Sequence, residues 1–89
     1  LSSEKTVHVI ENYHFSEVEV PASMLNKTLE SVAVRKRFNL EVLLIRRSII
    51  EGKVTKNMYI QPGGQTVLQI NYVLLVFGRQ SDIERFGKL

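Results

Sequence analysis

Few side chains in this sequence are of types that do chemistry, and their spacing narrows the choice. His8 and His14 stand six apart with Glu11 between them, residue types that can ligate a metal. They lie where the chain reads as linker and strand start, however, and two incidental surface histidines account for them better. The stretch Gln61-Pro62-Gly63-Gly64-Gln65 is glycine-rich. It lacks the Lys-Ser/Thr pair and the following helix of a phosphate loop, so it reads as a turn. Glu17 and Glu19 share one face of a strand as a carboxylate pair, but an exposed strand face carries such charge for solubility alone. No nucleophile with a base and no thiolate is available, so neither catalysis nor a metal is expected.

What remains is positive charge. Arg35, Lys36, Arg37, Arg46 and Arg47 face only Glu41 between positions 35 and 47. A guanidinium fork donates paired hydrogen bonds to a phosphate or carboxylate, so anion binding is the chemistry this cluster supports. The plainer reading makes Arg35 to Arg37 the basic end of a helix, complementing its dipole. Arg46 and Arg47 would then be solvated charges that blunt a strand end. Adjacent strand residues point to opposite faces, so at most one of that pair can look into any one site.

The elements that must hold these groups follow from periodicity. In "HFSEVEVP" Val18 and Val20 alternate with Glu17 and Glu19, with Phe15 out of step with the valines. That is a half-exposed strand stopped by Pro21. In "SMLNKTLESVAVRKRFN" the spacing of Leu25, Leu29, Val32 and Ala33 predicts one amphipathic helix of about ten residues, with Asn26 or Thr28 capping its start. "EVLLIRR" is a strand with Val42 and Leu44 on one face and Leu43 and Ile45 on the other, apolar on both. "SIIEGKVTKNMYI" reads as a hairpin turning near Glu51 to Lys53, "QPGGQTVLQIN" as a turn into a short strand, and "YVLLVFG" as a second strand apolar on both faces. In "SDIERF" the spacing of Ser81 and Glu84 is that of a capping box, with Ile83 and Phe86 on one face of a terminal helix.

About five strands and two short helices make an α+β fold with a small, mostly antiparallel sheet. Two short helices cannot cover both faces of two wholly apolar strands. The uncovered surface is therefore expected to be buried against a second copy of the chain, as in an obligate homodimer. The alternative is that Phe15, Phe38 and Tyr59 fold over that face within one chain.

With 89 residues, 44% apolar and 24% charged, the chain holds one globular domain. Residues 1–12, opening on the polar "LSSEKT", read as a linker from a preceding domain, and 13–89 as the domain itself. The absence of cysteine fits a reducing cytoplasm. The longest apolar run, Tyr72 to Phe77, falls far short of the roughly 20 residues that span a bilayer. Net charge is +3, but the surplus is local, so a uniform nucleic-acid surface is not expected.

The order "SEVEVP", "LNKTLESVAVRKRFN", "VLLIRR", "QPGGQTVLQINYVLLVFG", "IERF" resembles the C-terminal regulatory domain of RCK proteins, also called TrkA-C, from about Val18 to Phe86. Where that family places glycine, this chain has Asn26, Asn39 and Asn71, and asparagine is the substitute that best tolerates a left-handed backbone. The acid that commonly follows the third glycine is Tyr72 here, and the segment Ser48 to Ile60 is longer than the family's usual link. The resemblance implies a homodimeric, cytoplasmic regulatory domain of a potassium or other cation transport system. It implies an N-terminal RCK nucleotide-binding domain as a further partner. The whole would be peripheral to, or fused to, an inner-membrane channel or transporter. It also implies an effector in place of a cofactor: in several relatives the dimer cleft binds cyclic di-AMP. The family's arginine after the first helix falls on Arg35, which would contact a phosphate, with Val42, Leu43, Leu44 and Ile45 walling the cleft and Arg46 or Arg47 near it. The competing expectation is a purely structural dimerisation module that binds no ligand.

Overall fold

The computed structural model describes residues 6–89, with side chains from Ile10 onward. Among these residues one antiparallel sheet runs in the order β1-β2-β5-β3-β4. Its strands are β1 Thr6–Ile10, β2 Tyr13–Glu19, β3 Glu41–Glu51, β4 Val54–Ile60 and β5 Tyr72–Arg79. The helical segments are α1 Leu29–Val32, α2 Val34–Phe38 and α3 Gln80–Gly87, preceded by a 3-10 turn at Ala22–Met24. The α+β fold and antiparallel sheet expected from the sequence are what the chain forms. Of the residues read as linker, 6–12 form β1 and its turn onto β2, while 1–5 lie outside the described residues.

All three helices pack on one face of the sheet. Beneath them Val18 of β2, Leu74 and Val76 of β5 and Ile45 of β3 meet Phe38, Ile83 and Phe86, every one of them buried. Phe86 is fully buried and packs edge-on against Phe38, ring centres 5.2 Å apart. At about 25 cal/mol per Å² of apolar surface, this cluster supplies the main driving force for folding. The other face carries no element among the described residues. Tyr13 and Phe15 gather around Phe77 there, at 5.7 and 5.0 Å between ring centres, beside half-buried Val73 and Leu75. Phe38, expected as a possible cover for that face, is in the core, and Tyr59 is 61% exposed on β4.

The strict alternation expected along β3 is broken. Val42 pairs with Val76 and Leu44 with Leu75, so Leu43 is the extra residue of a β-bulge. Val42 and Ile45 therefore share the helix-covered face, and Leu44 turns to the bare one.

Three further expectations are corrected. The single first helix is two, because Ala33 adopts a left-handed backbone (φ 50°) that ends α1 and starts α2 in a new direction. The short strand after the glycines reduces to one bridge, Thr28 with Val67. The capping box is not made: α3 starts at Gln80, directly after β5, and the carbonyl of Asn12 accepts the Gln80 N–H at 2.9 Å in place of a side-chain cap. The β3–β4 hairpin turns at Gly52-Lys53 as predicted, with Gly52 at φ 62°, a value a side chain would strain. Asn26 (φ 67°) and Asn39 (φ 58°) take the left-handed conformation expected of them; Asn71 does not.

Candidate functional site

The approach to α1 is stitched to the loop before β5. Asn26 N–H donates to the Leu68 carbonyl and Leu68 N–H to that of Lys27, at 2.8 and 2.9 Å. The first α1 amides, of Leu29 and Glu30, donate to the carbonyls of Thr66 and Gly64 at 3.0 Å each. Thr28 completes the cap, its Oγ1 accepting from Ser31 N–H at 3.1 Å. The glycine turn thus satisfies the helix start with its own carbonyls, and no amide there is left for an anion.

Between this turn, the α1–α2 corner and the beginning of β3 lies a groove of about 510 Å³. Leu29, Val34, Leu40 and Val42 form its apolar floor, Pro62 and Gly63 one rim, and Arg35 and Lys36 the other. β4 covers β3 only from Ile45 onward, so the outer edge of Glu41 to Leu44 is unpaired beside the groove. The kink at Ala33 sorts the basic trio. Arg37 turns to the body, over the Phe38 ring at 5.2 Å, with Nη1 donating to the Val32 carbonyl at 3.4 Å. Arg85 covers the same ring at 4.8 Å. Arg35 and Lys36 remain for the groove.

Arg35 is not idle. Its Nε donates to Oε2 of Glu41, an ion pair whose side chains are 81% and 44% exposed. At such exposure the pair is worth about 1 kcal/mol or less, and an incoming anion can exchange with it. Glu30 also lines the groove, so its two cations are matched by two nearby carboxylates.

The other candidate residues disperse. Val42 lines the groove with Arg35. Leu43 stands 40% exposed on the bulge, and Leu44 faces the bare side opposite Leu75. Ile45 is fully buried under the helices and reaches no groove. Arg46 lies on the bare face, where Nη2 bridges Glu17 Oε1 at 3.2 Å and Nη1 donates to Ser48 Oγ at 3.2 Å. Arg47, opposite Tyr72, is exposed and outside the groove. Sequence reasoning missed Leu29, Val34, Leu40 and the glycine turn as groove walls. The i to i+5 step from Leu29 to Val34 spans the kink at Ala33, which periodicity does not reveal.

Elsewhere, the backbone register sets His8 opposite His14, but the side chain of His8 lies outside the described residues. Among the described residues no three metal-ligating side chains come together. Arg79 donates to the Tyr13 hydroxyl at 3.4 Å. That bond, then the charges of Tyr13 and Asp82, hold its guanidinium above the ordinary range.

Comparison with known families matches residues 15–89 to the TrkA-C domain. The chain belongs to the TrkA-C family. No curated protein matches it. TrkA-C domains are regulatory domains of potassium transport systems, and the regulatory role read from the order of short motifs stands at that level. Among the described residues of this TrkA-C domain, no helix is long and apolar enough to cross a membrane.

Proposed function

We propose that this TrkA-C domain is a cytoplasmic sensing module that works as a homodimer and takes a small anionic effector, such as cyclic di-AMP, in a cleft built from two copies of the groove. One observation carries the reading: an apolar floor is bordered by an exposed arginine and a lysine, next to an unpaired strand edge. Bases need the floor and phosphates need the rim, and a two-fold dinucleotide repeats both needs once per subunit. Arg35 is the phosphate contact, exchanging its exposed partner Glu41 for the ligand. Val42 belongs to the wall; Leu43, on the bulge beside the free edge, meets the partner copy. Catalysis has no place in this arrangement. Glu30 and Glu41 beside the two cations weigh against a nucleic-acid surface. In the full assembly the domain would pass its state through an N-terminal RCK nucleotide-binding domain to a membrane channel or transporter.

The test is calorimetry with cyclic di-AMP. The expected result is saturable binding at micromolar concentration, weakened at least tenfold by Arg35→Ala. No heat at high micromolar ligand would end the sensing role; normal binding by Arg35→Ala would end that residue's part in it. A second reading, a structural dimerisation module without a ligand, draws on the Arg35–Glu41 pair, which already satisfies one edge of the guanidinium. It expects no binding at all.

A further inference from the structure

Residues 48–57 of the β3–β4 hairpin extend past the sheet, since β5 stops pairing with β3 at Arg47. Two strands alone are marginally stable in water. Yet this arm exposes Ile50 at 76% and Val54 at 55%, and the rest of β4 exposes Met58 at 48% and Tyr59 at 61%. β4 is an edge strand, bonded to β3 on one side only. Edge strands are ordinarily guarded by proline, by a bulge or by several charges. β4 has no proline, keeps an unbroken register with β3, and carries one charge, Lys56, which is already paired with Glu51 at 3.3 Å.

The sequence of β4, Val-Thr-Lys-Asn-Met-Tyr-Ile, is self-complementary about its centre. Turned antiparallel on itself around Asn57, it sets Val54 against the partner's Ile60 and Thr55 against the partner's Tyr59. Lys56 then lies along the partner's Met58, and Asn57 meets the partner's Asn57. β-Branched residues face aromatic or aliphatic ones, no like charges are directly opposed, and the two amides can bond across the axis. Parity is kept, so each face of the sheet continues into the same face of its neighbour.

We propose that β4 is an interface strand that pairs antiparallel with β4 of a second copy of this chain, joining two sheets into one. The axis at Asn57 puts the two grooves at opposite ends of the paired strands. This contact is therefore distinct from the effector cleft and does not rest on it. Where both contacts form, the assembly grows beyond a dimer.

The chain has no cysteine, which makes a clean test possible. Directly opposed residues of antiparallel strands have Cα atoms roughly 4.5–5.5 Å apart, inside the span a disulfide bridges. Asn57→Cys is expected to form a covalent dimer under mild oxidation at least tenfold faster than the exposed control Lys88→Cys. Thr55→Cys and Tyr59→Cys should not cross-link alone, since each is about 13 Å from its own copy at that register. Mixed together they should form the heterodimer. Adding Met58→Lys to Asn57→Cys opposes like charges twice and should slow cross-linking at least tenfold; a further Lys56→Glu should restore it. Asn57→Cys reacting no faster than the control, or Thr55→Cys alone reacting as fast as Asn57→Cys, would overturn the proposal. All six positions are exposed, and circular dichroism should report an unchanged fold in each variant.

Discussion

Strands β5 and β4 lie two places apart in one sheet, each apolar in more than half of its residues, and meet opposite fates. Along β5, Tyr72, Leu74 and Val76 alternate inward and vanish beneath α2 and α3. Along β4, Val54, Met58 and Tyr59 stay in water, and only Ile60, opposite Ile45, turns partly into the core. Hydrophobicity alone does not decide which strand is buried. Position does: β5 is central and lies under the three short helices, whereas β4 extends to the edge where nothing is left to cover it. Stability is concentrated in the one, and the other is free to meet a partner.

That contrast can be broken from either side. Phe86→Ala removes the fully buried ring that joins α3 to Phe38, and urea unfolding should show a loss of about 3–5 kcal/mol. Gly78→Ala on β5 should cost about 1–3 kcal/mol by the same measurement, because a Cβ there would overlap the Leu40 side chain and approach the Asn39 carbonyl. Thr28→Ala lies outside the sheet and removes one cap of a four-residue helix; a loss of about 1 kcal/mol is expected. Ile50→Ser on the hairpin, although it replaces a large apolar side chain, should change monomer stability by less than about 0.5 kcal/mol. A loss at Ile50 comparable to that at Phe86 would mean that the arm is covered within the single chain, and the contrast would fall.

Much of this arrangement was legible in the sequence because period-two and i,i+3 patterns are direct images of burial. Val18 with its glutamate neighbours, Ile83 with Phe86, and the hairpin at Gly52 all lie where their patterns put them. Two of the failures share one cause, a backbone feature that no side-chain pattern encodes. Ala33 adopts φ 50° with nothing in its type to announce it, and so one helix became two. The bulge at Leu43 is equally silent in "EVLLIRR". For the groove, Arg35 and Val42 were readable, one as a cation at a helix end and the other as the first apolar residue of a strand. Ile45 was not, because its burial depends on which way the bulge turns it. The facing wall, Pro62 and Gly63, comes from a long-range stitch that only the folded chain displays.

The bulge has a consequence for the whole outer half of the molecule. One supernumerary residue works as a parity switch: everything downstream of Leu43 has exchanged inside for outside relative to Val42. Had the strand run evenly, Arg46 would have been driven under the helices and Ile45 stranded in solvent. Excising Leu43 should therefore remove the bulge and leave Leu44 to Glu51 on the faces they now occupy; it is flattening the bulge with Leu43 retained that would invert β3 and carry the polarity of both hairpin strands along.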